Sequence, residues 1–157
     1  MHCNKFTLIE LIAVIIVSSF LVAMTVQVMK TSPVDSQVYQ LGSACSLSTS
    51  KAAKIRKNIL VEFDGVTFKA SYQKNGSKEI FKEFKVSDKV EAKMEKGDAV
   101  ITSYVLTPEG TVNGGGEQVT FKIRDKKTGG VAKFFTVNGF TSRVFYYGSD
   151  GSQVTEW

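Results

Sequence analysis

A long apolar run near the N-terminus constrains the fold of this chain more than any other feature. Leu11–Met29 contains nineteen consecutive residues without a charged side chain, and the five residues before this run are mostly apolar. About 20 helical residues cross the ~30 Å hydrocarbon core of a bilayer. The sequence therefore predicts a membrane-spanning helix over residues 6–30, which leaves the rest of the 157 residues for one ordinary domain.

The run differs from a secretory signal and contains one acidic residue. A signal core is typically about 7–15 residues and ends in a small-x-small site, whereas this run ends in Gln27-Val28-Met29-Lys30. The acidic residue is Glu10. A carboxylate inside a spanning helix costs about 2.5–3.5 kcal/mol on insertion scales and usually has a partner or a function. Glu10 is therefore either solvated at the membrane surface or paired with a cation.

The residues around Glu10 carry a family resemblance. The string Lys5-Phe6-Thr7-Leu8-Ile9-Glu10-Leu11-Ile12 resembles the prepilin cleavage and methylation motif of type IV pilins and type II secretion pseudopilins. The resemblance implies that residues 1–5 are a leader, cut between Lys5 and Phe6 by a prepilin peptidase that also methylates Phe6. It also implies that Glu10 pairs with an N-terminal amine during assembly, which offsets the desolvation of both charges.

One position departs from the family pattern. Lys5 stands where the family has glycine immediately before the cleavage site. Two interpretations therefore stay open: a processed filament subunit, or a membrane-tethered domain that never polymerises.

The sequence pattern of residues 31–57 predicts the amphipathic half of the N-terminal helix. Ser32 suits a cap, Pro33 the first helical position and Asp35 the first turn. Apolar or small side chains then recur at spacings of three and four: Val34, Val38, Leu41, Cys45, Ser48, Ala52, Ile55 and Ile59. This stripe predicts packing on the C-terminal domain, with packing against neighbouring helices as the alternative. Cys45 is predicted to be a small buried hydrophobe.

Four cations crowd the end of this helix, namely Lys51, Lys54, Arg56 and Lys57. Cations at a helix C-terminus complement the helix dipole, so a solvated end is the first interpretation. A surface that faces DNA or lipid is the alternative.

Residues 58–157 predict a β-rich domain because the apolar pattern changes to alternation. Seven short runs are rich in β-branched and aromatic residues, and turn signals such as Asn75-Gly76 and Asn138-Gly139 separate them. The runs are ILVEF, VTFKASY, EIFKEFKV, AVITSYVL, VTFKIRD, VAKFFTV and RVFYY. The predicted fold class is α+β, with a long N-terminal helix packed on a small antiparallel β-sheet or sandwich.

The order of the later segments extends the resemblance. Lys51–Asn58, Val61–Gly65, Leu106–Val112 and Val137–Val144 follow one another as in the minor pseudopilin H and FimT-like group, and more loosely as in D-type competence pseudopilins. The resemblance implies a pilin-like fold and other pilins as partners through the N-terminal helix. It places the helix in the cytoplasmic (inner) membrane and the β-domain outside the cytoplasm, before entry into a pilus or pseudopilus.

The composition gives little support to catalysis or cofactor binding. One His and two Cys leave almost nothing for zinc, haem or a disulfide framework. The glycines at 114–116 lack the Lys-Ser/Thr of a phosphate loop. Acidic residues between 79 and 95 alternate with lysines, which is typical of a solvated face. We therefore expect no enzyme activity, no metal and no cofactor.

A DNA-binding minor pilin is the alternative function. Some FimT-like proteins bind DNA through a C-terminal Gly-Arg-x-Arg motif, of which this chain keeps only Arg143; Ser142 and Phe145 replace the glycine and the second arginine. Lys122 and Arg124 project from one face of a predicted strand and are expected to add to Arg143. The net charge of +5 is too small to favour nucleic acid by itself.

Overall fold

The computed structural model describes residues 8–28, 32–113, 115–130, 132–147 and 153–154. They form two compact units that divide after Ser32. The first unit holds helix α1 (Leu8–Val28), and the apolar side chains described there, such as Val14 and Phe20, are exposed. None of the helices in these ranges combines enough length with enough apolar character to span a bilayer. The span over residues 6–30 therefore stays a prediction.

The second unit contains one helix and ten described strands. The helix is α2 (Pro33–Ile55). The strands are β1 (Ile59–Phe63), β2 (Thr67–Lys74), β3 (Ser77–Lys85), β4 (Val90–Lys96), β5 (Ala99–Val100), β6 (Ser103–Leu106), β7 (Val119–Asp125), β8 (Lys133–Val137), β9 (Val144–Tyr147) and β10 (Gln153–Val154).

The predicted long N-terminal helix is not seen as one element. Helices α1 and α2 are separate, and the residues between Val28 and Ser32 lie outside the described ranges. Pro33 opens α2, where its missing N–H costs no hydrogen bond because the first helical N–H groups have no intrahelical partner. The proline ring also disfavours a helical conformation at the preceding residue. The sequence Ser32-Pro33 therefore predicted correctly that a helix begins at this point.

The strands form two antiparallel sheets, which confirms the predicted β-architecture. The four-stranded sheet has the order β3-β2-β1-β6, and the six-stranded sheet has the order β10-β9-β8-β7-β4-β5. The pairings within both sheets are antiparallel. The run predicted over residues 99–106 divides into β5 and β6, and these two strands lie in different sheets.

Strand β4 was missed by the sequence analysis, which interpreted its charges as a solvated face. Its side chains alternate: Val90, Ala92 and Met94 are buried, while the acidic and basic residues between them face outward. Alanine, glutamate and lysine, which make up most of β4, are depleted in strands, so its composition hid the period of two. The strand becomes stable because β7 pairs with it over its whole length.

Helix α2 contributes one face to the core of the second unit. The predicted stripe is buried from Val34 to Ala52, and Ile55 is half-buried. Every member of the buried apolar cluster lies between Val34 and Val137. The stripe therefore packs on the protein's own β-domain, as predicted.

Cys45 is fully buried and contacts Tyr104, as its predicted role as a small hydrophobe requires. The Tyr104 hydroxyl donates a hydrogen bond to the Cys45 sulfur at 3.4 Å. Burial raises the pKa of the Cys45 thiol to about 12, and the hydrogen bond from Tyr104 lowers it only in part. The thiol of native Cys45 is therefore protonated near neutral pH.

This burial predicts a thiol that reacts only when the domain opens. In a Cys3→Ser background, Ellman's reagent at pH 8 is expected to label native Cys45 at least about a thousandfold more slowly than the chain in urea, because the thiolate is the reactive form. The labelling rate in increasing urea checks this. Fast labelling without urea would contradict the burial.

Candidate assembly helix and nucleic-acid surface

The predicted processing and assembly residues lie at the edge of what the structure describes. Lys5 and Phe6 are outside the described residues. Glu10 lies in the first turn of α1, and its side chain is not among those described. Cleavage, methylation and amine pairing at these residues therefore remain predictions.

Lys122 and Arg124 lie on the outward face of β7, where carboxylates of β4 bind them. Alternation along β7 buries Val119, Phe121 and Ile123 and turns the intervening residues outward. The ammonium of Lys122 lies 2.5 Å from a Glu95 carboxylate oxygen. The guanidinium of Arg124 donates to Oε2 of Glu91 from Nε at 2.8 Å and from Nη2 at 2.6 Å.

The strand register explains these pairs. Glu91 lies directly opposite Arg124, and Lys93 lies opposite Lys122, so the carboxylates of β4 flank both cations. Hydrogen bonds from Arg124 lower the pKa of the Glu91 carboxyl, and Lys93 adds to this effect. Both β7 cations are thus opposed by carboxylates at neutral pH. Sequence reasoning missed this because it did not recognise β4 as a strand.

Arg143 follows a tight loop. The Asn138 side-chain oxygen accepts hydrogen bonds from the backbone N–H groups of Phe140 and Thr141 at 2.9 and 3.1 Å. Ser142 is buried, has φ 51°, and donates its hydroxyl to the Gly110 carbonyl at 2.9 Å. The serine that departs from the family's glycine therefore has the left-handed backbone that favours glycine.

The side of α2 near Arg143 forms an open groove of about 680 Å³. Arg143, Val144 and Tyr146 line one wall, and Ser43, Leu47 and Ser50 line the other. Tyr146 approaches α2 closely at Gly42, where an added Cβ would lie 2.7 Å from the Tyr146 ring. Gly42, which weakens the stripe in sequence, permits this contact.

The three predicted DNA contacts are therefore not in one groove. Lys122 and Arg124 share a groove of about 170 Å³ with Glu91, Lys93 and Glu95. Arg143 lines the separate groove beside α2. No sequence pattern predicts this separation, because it depends on how β7, β9 and α2 pack.

The end of α2 presents a different basic surface, which we call the helix-end cluster: Lys51, Lys54, Arg56 and Lys57. The Lys51 ammonium lies 6.0 Å from the Tyr72 ring centroid and 5.7 Å from that of Phe81. The Lys57 ammonium lies 5.9 Å from the Tyr72 ring and donates to the Gln73 carbonyl at 3.1 Å. Within the described ranges, no salt bridge to these four cations is found.

Metal binding has no support in the part of the chain that the structure describes. No group of three or more His, Cys, Asp or Glu side chains there is placed to hold an ion.

The arrangement of α2 and the two antiparallel sheets is similar to that of known proteins. The chain has the fold of type IV minor pilins and minor pseudopilins, as the sequence resemblance implied. The minor pilin FimU of Pseudomonas aeruginosa matches with a TM-score of 0.62 at 14% identity, over 78% of this chain and 93% of FimU. A second crystal form of FimU gives 0.59 at 15% identity, over 77% and 97%.

The minor pseudopilin EpsH from the type 2 secretion system of Vibrio cholerae also matches. Its TM-score is 0.53 at 11% identity, over 78% of this chain and 95% of EpsH. No family model matches the sequence, and a comparison with curated proteins finds no match. At sequence identities of 11–15%, the structural similarity shows the fold alone.

Proposed function

We propose that this chain is a minor pilin or pseudopilin, a structural and assembly subunit of a type IV pilus-like or type II secretion filament. The fold likeness to minor pilins over about three quarters of the chain carries the proposal. The motif at Lys5–Ile12, at the head of an apolar run, adds support from the sequence.

Membrane anchoring before assembly is part of the proposal. The uncharged run Leu11–Met29 has the length for a span over residues 6–30. The amphipathic segment 31–57 and the β-rich domain 58–157 then lie outside the cytoplasm. In this arrangement residues 1–5 are the leader that the prepilin peptidase removes.

Glu10 has the central assembly role in this proposal. A processed chain begins at Phe6, so its ammonium and the Glu10 carboxylate both enter an apolar environment. Pairing a carboxylate with an N-terminal amine offsets two desolvation costs and fixes the register between subunits. Partner pilins therefore bind through the N-terminal helix.

The N-terminus and intact mass of the protein from host membranes test the proposal. In the host we expect a chain that starts at methylated Phe6, and in a strain without its prepilin peptidase a chain that keeps residues 1–5. A chain that keeps these residues in both strains would mean that Lys5 blocks processing, and the filament-subunit proposal would fail.

A Glu10→Gln variant tests the assembly role. It is expected to stay in the membrane fraction but to lose co-purification with sister subunits by about tenfold or more, since removing one partner of a buried ion pair costs roughly 3–5 kcal/mol. Glu109→Gln removes the same charge from an exposed loop and serves as the matched control. Equal co-purification of both variants would contradict the pairing.

Direct DNA contact by Arg143, Lys122 and Arg124, as in a competence pilus, has weaker support. Two of these cations are held by Glu95 and Glu91. Affinity from counterion release requires several phosphate contacts in one place. We therefore do not adopt these three residues as a DNA site.

A further inference from the structure

The cations of the second unit differ in whether they form salt bridges. Most cations of the two sheets form salt bridges with neighbouring carboxylates. They are Lys69, Lys74, Lys78, Lys93, Lys96, Lys122, Arg124 and Lys133. The helix-end cluster forms no salt bridge within the described part of the chain, and its four charges lie within seven consecutive residues. The densest run of cations without a salt bridge in the described residues is therefore at the end of α2, where Lys51 still acts electrostatically on the Glu79 carboxylate.

The cluster has the composition of a surface that binds an anion. Lys54, Arg56 and Lys57 are exposed, while Lys51 is half-buried against the Tyr72 and Phe81 rings. The exposed large apolar side chains of the described residues do not include any between 51 and 58. The surface thus offers charge without an apolar anchor.

Arg56 occupies a position that favours glycine. Its φ is 52°, and the Lys57 N–H donates to the Ala52 carbonyl at 3.4 Å, which is the helix-ending bond of a Schellman motif. Glycine is the usual residue at this position because a Cβ is strained in the left-handed region. Arg56 thus places a positive charge at a position where glycine would fit the backbone with less strain.

We propose that the helix-end cluster binds the phosphate backbone of nucleic acid without reading its sequence. Protein–protein interfaces are depleted in lysine and depend on buried apolar or aromatic anchors, which this surface lacks. Protein–DNA interfaces are more polar and far more positively charged, and most of their contacts go to phosphate and sugar. Lysine ammonium groups lie over the Tyr72 and Phe81 rings at 5.7–6.0 Å from their centroids, so we expect contact with phosphates and not base stacking.

A second copy of this chain is a poor partner for the cluster. Among the carboxylates in the described ranges, seven form salt bridges, and Asp64 and Asp125 accept backbone hydrogen bonds in turns. The remaining described carboxylates, Asp88, Asp98 and Glu109, lie in three separate turns, so the described residues offer no run of acidic side chains to match the cluster. The inference goes beyond the proposed function and does not depend on it.

Fluorescence anisotropy with a labelled 30-base-pair duplex tests the proposal on the full-length chain in a non-ionic detergent. Affinity is expected to fall with salt, with a slope of log K against log salt of roughly −0.9 for each phosphate contact. The Lys54→Gln/Arg56→Gly/Lys57→Gln variant is expected to bind about tenfold more weakly or worse, and its slope to become shallower by roughly 2.7.

The matched control is the Lys82→Gln/Lys85→Gln/Lys89→Gln variant. It removes three charges from the same total of +5, again from lysines without a salt bridge. Its affinity is expected to change less than about threefold, because these lysines lie outside the cluster. Equal losses in both variants would show an effect of net charge and overturn the proposal, as would a wild-type chain that does not bind the duplex.

The single variant Arg56→Gly separates binding from folding. It is expected to unfold at an equal or higher temperature and yet to bind the duplex more weakly. Unchanged binding would remove Arg56 from the site.

Competition experiments test other anionic partners. Displacement of the duplex by polyglutamate at equal charge would identify an acidic protein as the partner. Preferential binding to anionic vesicles of phosphatidylglycerol would identify a membrane, and either result overturns the proposal.

Discussion

Replacing Phe121 with alanine is expected to lower the free energy of unfolding of the second unit by about 3–5 kcal/mol. Phe121 is fully buried on β7 and stacks on Phe135 of β8, with ring centroids 4.7 Å apart. It also reaches across to the other sheet, where its ring lies 5.6 Å from Phe63 and 6.4 Å from Tyr104. The Phe121 side chain therefore contacts core residues of both sheets.

A loss of this size is a large part of the stability of a small domain, which is about 5–15 kcal/mol. Urea unfolding followed by circular dichroism measures it. Phe140→Ala is the matched control, because Phe140 is 69% exposed and its truncation is expected to change stability by less than about 0.5 kcal/mol. Similar costs for both variants would show that Phe121 does not link the sheets.

Sequence patterns predicted the second unit well where one side chain decides one local conformation. Pro33 marked the start of α2, and its apolar stripe identified the face that packs on the β-domain. Such signals are local, because helix caps and periodicity act over a few residues. The antiparallel pairing likewise followed from short runs and turn signals, whereas the sequence analysis left open whether the strands form one sheet or two.

The candidate site could be predicted only in part, because its electrostatics depend on which strands are neighbours. The charges of Lys122 and Arg124 were visible in the sequence, but the pairing of β7 with β4 was not. That pairing turns two candidate DNA contacts into salt bridges. The helix-end cluster, in contrast, was visible as a run of charges, and its lack of salt-bridge partners within the described ranges emerged only from the fold.

The core of the second unit bears on the proposed function as well as on stability. The buried apolar cluster of the described residues runs from Val34 to Val137, within the second unit. A unit with its own core is able to stay folded while a separate apolar helix exchanges a bilayer for a filament. This is what a subunit that moves from membrane to filament requires.

Replacing Gly139 with alanine is expected to cost about 3 kcal/mol, near the upper end of typical overpacking. An added Cβ would overlap the backbone of Glu117 and lie 2.5 Å from its carbonyl carbon, and a backbone cannot rotate away as a side chain can. The loop that contains Gly139 would have to move away from the loop that contains Glu117. This movement would stretch the 2.8 Å hydrogen bond from the Val112 N–H to the Gly139 carbonyl. That movement would also shift the loop that ends at Ser142, immediately before Arg143.

The matched control is Gly130→Ala, where the Cβ meets only the Thr128 hydroxyl at 3.5 Å and the backbone φ lies outside the left-handed region. It is expected to change stability by less than about 1 kcal/mol, because a Gly→Ala change at a compatible site mainly restricts the unfolded chain. Urea unfolding of both variants makes the comparison. If Gly139→Ala were as mild as the control, the contact between the Asn138–Ser142 loop and Glu117 would be looser than the structure shows, and the position of Arg143 beside α2 would lose its rigid support.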